Sequence, residues 1–122
     1  MLLNPKVFLV AVTDKNEYKT NEMITCTLIN LNESPAYVEY CGEYSIIWIE
    51  KKTSCGWETY WSPIVPAICG YQAMVLKWKE KTEWQISVLD KPGIYRIVIP
   101  AGIDSIITQS DKIYTNNFYL NN

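Results

Sequence analysis

The 122-residue chain contains no histidine. That removes the side chain whose charge changes most readily near neutral pH, and with it the commonest general base and metal ligand. A Ser or Cys nucleophile would then need Lys or a carboxylate as its base, and no spacing in the chain sets up such a pair. There is no C-x2-C pair either. Cys26, Cys41, Cys55 and Cys69 stand 14 or 15 residues apart, which argues against zinc. No apolar run approaches the ~20 residues of a membrane-spanning helix. No basic stripe is present: 11 Lys and Arg are spread among 13 Asp and Glu for a net charge of -2, so nucleic acid is not expected as a partner. No stretch keeps a 3.6-residue period, so helix should be scarce. Carboxylates that might pair for glycoside hydrolysis, Glu39 with Glu43 or Glu58, read as solvent-facing strand residues. Asp104, Asp111 and Asn116 are too few and too scattered for calcium. No catalytic residue, metal or cofactor is expected, and the chain reads as non-enzymatic.

What is present points to one all-β domain spanning residues 1–122. Hydrophobic residues make up 48% of the chain and charged residues 20%, enough apolar material for a real core. Aromatic and β-branched residues recur in short runs broken by Gly, Pro, Asn and Asp, the pattern of a sandwich or barrel. Expected strands are Lys6–Asp14, Glu22–Asn32, Ala36–Cys41, Tyr44–Lys52, Trp57–Trp61, Met74–Trp78, Thr82–Leu89, Gly93–Pro100 and Lys112–Leu120. Ile24, Cys26 and Leu28 should share one face. Trp84, Ile86 and Val88 should alternate with Gln85 and Ser87. Asp14–Glu22 reads as a polar connection holding Tyr18. Asp90-Lys-Pro-Gly93 reads as a turn in which Pro92 sets φ and Gly93 is free to take a positive value. Tyr95, two residues later, has the position of a tyrosine corner, a structural role.

Met1–Val12 lacks the basic start and small-residue cleavage site of a signal peptide. It is expected to be the first strand, with any signal absent from this chain. An even cysteine count in a small β-rich chain favours disulfides and an oxidising compartment, hence an extracellular or cell-surface location. Cys26 should point inward as a buried free thiol or as one partner of a bond. Cys55 lies in a turn and should be exposed. The aromatic set offers the strongest binding signal. Trp57 and Trp61 should share a strand face, with Tyr71 and Trp78 close behind, as a ligand face for glycan or protein. The apolar terminal strands suggest a further route, self-association through an open sheet edge.

The order Tyr18-x-x-Asn21-Glu22-x-Ile24-x-x-x-Leu28-x-Asn30, Tyr40-Cys41, Gly56-Trp57, Cys69, Pro92-Gly93-x-Tyr95-Arg96 and Asn117-Phe118 resembles the bacterial immunoglobulin-like domains of secreted proteins and lipoproteins. The resemblance runs from about residue 6 to 120. It implies an immunoglobulin-like two-sheet β-sandwich of seven or more mostly antiparallel strands, without a shared active site, serving as a structural or interaction module. It also implies a Cys41–Cys69 disulfide, worth ~3–4 kcal/mol in the chain-entropy account. Cys26 and Cys55 have no counterpart in that pattern, and a glycine is missing at the Lys79-Glu80 turn. The stretch Lys79–Gly93 also looks like the small intracellular proteinase inhibitors of bacilli.

Overall fold

The structure, a computed structural model, describes residues 8–41, 44–63, 72–102 and 111–122. Every regular element in these residues is a strand: β1 (Leu9–Thr13), β2 (Glu17–Lys19), β3 (Ile24–Asn30), β4 (Ala36–Cys41), β5 (Tyr44–Ser45), β6 (Trp48–Thr53), β7 (Gly56–Trp61), β8 (Gln72–Leu76), β9 (Lys81–Ile86), β10 (Gly93–Gly102), β11 (Asp111–Tyr114) and β12 (Phe118–Asn121). β1, β3 and β9 form a small sheet and the other nine a large one. β2 runs parallel to β12; the other pairings are antiparallel.

Interruptions make the large sheet look more complex than it is. β4 and β6 both run antiparallel to β10, at Ala101–Gly102 and at Tyr95–Val98, so they are two segments of one ribbon. β8 pairs with β4 and β7 with β6, as segments of the next ribbon. β11 and β12 divide the opposite edge of β10 between them. The sheet is therefore five ribbons wide, β2, β12/β11, β10, β6/β4 and β7/β8, with β10 in the middle and the two-residue β5 paired to the Tyr40–Cys41 end of β4.

Strict alternation builds the core. On β3, Ile24, Cys26 and Leu28 are fully buried, as their period of two requires. Tyr95, Ile97, Ile99 and Ala101 of β10 face them with no exposure. Each large side chain buried in this way contributes about 1.5–3 kcal/mol. Phe118 of β12 stacks on Tyr95 at 6.1 Å and meets Tyr18 edge-on at 5.6 Å.

Several elements depart from the sequence expectation. Asp14–Glu22 is not a plain connection, because β2 lies within it and Tyr18 is buried there. The Tyr18 hydroxyl donates to Asp14 Oδ1 (2.6 Å) and accepts from the Lys15 amide (2.8 Å). Burial works against the Asp14 carboxylate, but hydrogen bonds from Tyr18 and the Thr25 amide outweigh it and hold its pKa below the usual value. The strand through Trp84 stops at Ile86, so Val88 is exposed and Leu89 is buried instead. Lys112–Leu120 is broken at Thr115, whose hydroxyl accepts from the Ile97 amide (2.9 Å) and donates to the Asn116 carbonyl (2.9 Å). A side chain there takes a backbone acceptor's place in the ladder. At the missing-glycine turn Lys79 itself adopts a left-handed φ of 66°. The turn is held because Lys79 N donates to Asn30 O (2.8 Å) and Asn30 N to Glu80 O (3.0 Å). Asn30 is fully buried; its amide donates to Leu76 O (2.8 Å) and Ser34 O (3.0 Å), and its side-chain oxygen accepts from Asn32 N (2.8 Å). One polar side chain thus ties two turns together.

Candidate functional site: the outer face of the large sheet

The side chains that β10 turns away from the core begin with Ile94 and Arg96. β6 turns out Trp48, Glu50 and Lys52, and β11 turns out Lys112 and Tyr114, as their registers against β10 require. β7 adds Trp57, which lies opposite Lys52. These residues form a strip centred on Arg96. Its Nε and Nη2 both reach Glu50 Oε1 at 2.7 Å. Its guanidinium carbon lies 4.3 Å from the Trp57 ring centre and 4.0 Å from that of Tyr114. Lys52 stands over Trp57 at 6.0 Å and Lys112 over Trp48 at 5.9 Å. The Trp48 indole N–H donates to Glu50 Oε2 at 3.3 Å. Lys52, Arg96 and Lys112 against Glu50 leave the strip positive in a chain whose net charge is -2. Each cation–ring contact is worth about 0.5–1 kcal/mol where water still has access.

The expected ligand face is not assembled. Trp57 and Trp61 do not share a face, because the β6–β7 register shifts between Ile49 and Glu50. This bulge puts an extra residue into β7 and reverses the alternation beyond it. Trp57 therefore sits outside on Arg96, whereas Trp61 lies opposite Ile49 and packs against the core. Tyr60, beside the bulge, also packs on the core: its ring meets Tyr95 at 5.3 Å and its hydroxyl donates to Asp90 Oδ1 (3.0 Å). Trp78 is half exposed at the β8–β9 turn under Lys79, at 4.5 Å. Tyr71 lies outside the described residues. Trp48 and Tyr114, which complete the strip, were not legible as members. Each sits in an ordinary alternating run, and only the pairing with β10 brings them together.

Tyr95 occupies the expected corner. It is fully buried, and its hydroxyl donates to Lys91 O at 2.6 Å. Burial is the main cause that pushes its pKa up to about 12. Pro92 and Gly93 lie between Lys91 and Tyr95. A Cβ on Gly93 would stand 2.7 Å from Cε of Lys51. The bare backbone leaves that lysine room to reach over the Tyr60 and Tyr95 rings, at 5.6 and 5.7 Å.

Cys26 and Cys55 are both free thiols, so they do not bridge each other. Cys26 faces the core from β3, while Cys55 is exposed at the β6–β7 turn beside Gly56, whose φ is +112°. Burial pushes the Cys26 thiol up to about 12, which makes it unreactive. The expected Cys41–Cys69 bridge falls on Cys69, which lies outside the described residues. No cluster of potential metal ligands occurs among the described residues, and no helix there is long and apolar enough to cross a membrane.

No family model matches the chain, and no curated protein does. Among solved structures it is similar to part of the alkylpurine DNA glycosylase of Pseudomonas fluorescens bound to DNA with an abasic-site analogue, at 12% identity and a TM-score of 0.47, covering 96% of this chain and 31% of that one. It is similar to part of a β-glucosidase of Listeria innocua bound to gluconolactone, at 9% identity and TM-score 0.37, over 95% of this chain and 16% of that one. A β-glucosidase of Erythrobacter marinus gives 14% identity and TM-score 0.42, over 94% and 16%. The chain spans less than a third of the length of each of these proteins.

Proposed function

We propose that this chain is an immunoglobulin-like sandwich working as a non-enzymatic binding module outside the cytoplasm, with the Arg96 strip as its docking surface for an acidic protein partner. The immunoglobulin-like reading is supported by the Tyr95–Lys91 corner and by the division of β1-β3-β9 from the strands around β10. The functional reading is carried by one observation: Trp57, Arg96 and Tyr114 are stacked on an outer sheet face with Lys52 and Lys112 standing over its rings and Tyr114 still 43% exposed. Tyr, Trp and Arg are the residues that dominate protein-binding hot spots. The same stacking disfavours a sugar platform, because Arg96 occupies a ring face that a sugar would need.

Site-specific photo-crosslinking tests this. A crosslinker at Thr59, on the strip's margin, should capture a discrete partner from the source organism. The same group at Gln85, on β9 of the other sheet, should not. Loss of capture in Tyr114→Ala would place the contact on the strip, and equal capture from both sites would overturn the reading. Placement outside the cytoplasm is tested by intact mass after alkylation of the unfolded, unreduced native protein. Two labelled thiols, rising to four on reduction, are expected; four without reduction would overturn it.

A further inference from the structure

The edges of the two sheets are guarded unequally. β9 carries Lys81 and Glu83, β2 carries Glu17 and Lys19, and β7 carries Glu58; β8, Gln-Ala-Met-Val-Leu, is uncharged too, but Val75 is its one large apolar side chain that is exposed. β1, Leu-Val-Ala-Val-Thr, has no charge and no proline, and pairs only with β3 among the described residues. Natural edge strands ordinarily carry such guards, because an open ladder recruits another strand. On the solvent face of β1, Phe8, Val10 and Val12 are 61%, 40% and 39% exposed, and Leu31 beside them is 50% exposed. We propose that the β1 edge binds a second copy of this chain, the two β1 strands pairing antiparallel about a twofold axis at Val10.

The hydrogen bonds already made select this register. Leu31 N donates to Phe8 O and Asp14 N to Thr25 O. The even positions of β1 therefore turn their backbone groups toward β3, and the odd positions turn theirs to the opposite edge, where no strand among the described residues pairs. Asn116 Oδ1 accepts from Thr13 N at 3.0 Å and closes that end. Among the described residues, Leu9 and Ala11 remain. Pairing centred on Val10 sets Leu9 of each copy against Ala11 of the other. It also places Val10 against the other copy's Val10 and Phe8 against its Val12, at a Cβ separation of about 4.5–5.5 Å. Every exposed apolar residue of the strand is covered by another. An uncharged strand meets itself without the like-charge repulsion that a charged edge brings, which favours a second copy over a charged partner. The contact is short and falls below the ~1,200 Å² of stable complexes, so the dimer is weak and concentration-dependent. It uses a surface separate from the Arg96 strip and stands whether or not that strip binds a partner.

Sedimentation of the whole chain from about 10 µM to about 1 mM, a range suited to weak association, should show a growing dimer. Val10→Lys and Val10→Glu should each be monomeric with an unchanged thermal midpoint, since Val10 points to solvent. Their equimolar mixture should dimerise again, because the opposed side chains then attract. In a Cys55→Ser background, Val10→Cys should crosslink under mild oxidation and Val88→Cys, at another exposed site, should not. A wild-type monomer at every concentration, a dimer kept by Val10→Lys, or equal crosslinking at both positions would overturn the proposal.

Discussion

Tyr95 shows how one hydroxyl organises a corner. Its ring is buried between Phe118 and Tyr60, and its O–H closes back on Lys91. Tyr95→Phe keeps the packing and removes the hydrogen bond, leaving the Lys91 carbonyl without that donor. The cost should be about 1–2 kcal/mol, read as a lower urea midpoint at unchanged slope. Gly-x-Tyr after a Pro turn made this corner legible in the sequence. Asn30 was visible only as the end of a strand motif. Its work depends on Ser34 and Leu76, which no local pattern connects to it. Lys79 was legible as a difficulty, a left-handed position without glycine; the Asn30 backbone that resolves it comes from the neighbouring strand.

At the scale of elements, alternation predicted burial well wherever a strand runs undisturbed. β3 and β10 follow their period of two along their core-facing positions. It failed where a register shift intervened, and a bulge leaves no local signature in Gly56-Trp-Glu-Thr-Tyr-Trp61. The two tryptophans of β7 consequently differ in kind. Trp61→Ala removes a ring packed on the core and should cost about 2–4 kcal/mol, reaching below the ~3–5 kcal/mol of fully buried large aromatic truncations because the site is only partly buried. Trp57→Ala removes a ring lying on Arg96 at the surface and should cost less than ~1 kcal/mol. Urea unfolding of both variants checks the assignment. Similar losses for the two would mean that Trp57 and Trp61 share a face after all. The break at Thr115 was equally hidden; the break after Cys41 was legible as two separate strands, but that β4 and β6 continue one ribbon shows only through β10.

For the whole molecule, the core holds its titratable groups in their neutral forms. Burial pushes Tyr18, Tyr95 and Cys26 each up to about 12, from ordinary values of 10.0, 10.0 and 9.0. In the unfolded chain Cys26 loses its proton near pH 9 and the tyrosines near pH 10, while the folded chain keeps all three until about pH 12. Between those limits the unfolded state binds fewer protons than the folded one, so stability falls as pH rises. Their contribution is fully present below pH 9 and is lost across the interval from 9 to 12. All three line one core, with Tyr18 and Tyr95 both against Phe118, so they should fail together rather than loosen one sheet at a time. Urea midpoints should hold steady from pH 7 to 9 and then drop progressively. Cys26→Ala should delay the onset to about pH 10, the point at which the tyrosines begin to ionise in the unfolded chain. A midpoint that stays constant through pH 11 would mean that water reaches these hydroxyls in the native state, and that the two sheets do not close over them as the buried Tyr95–Phe118 stack requires.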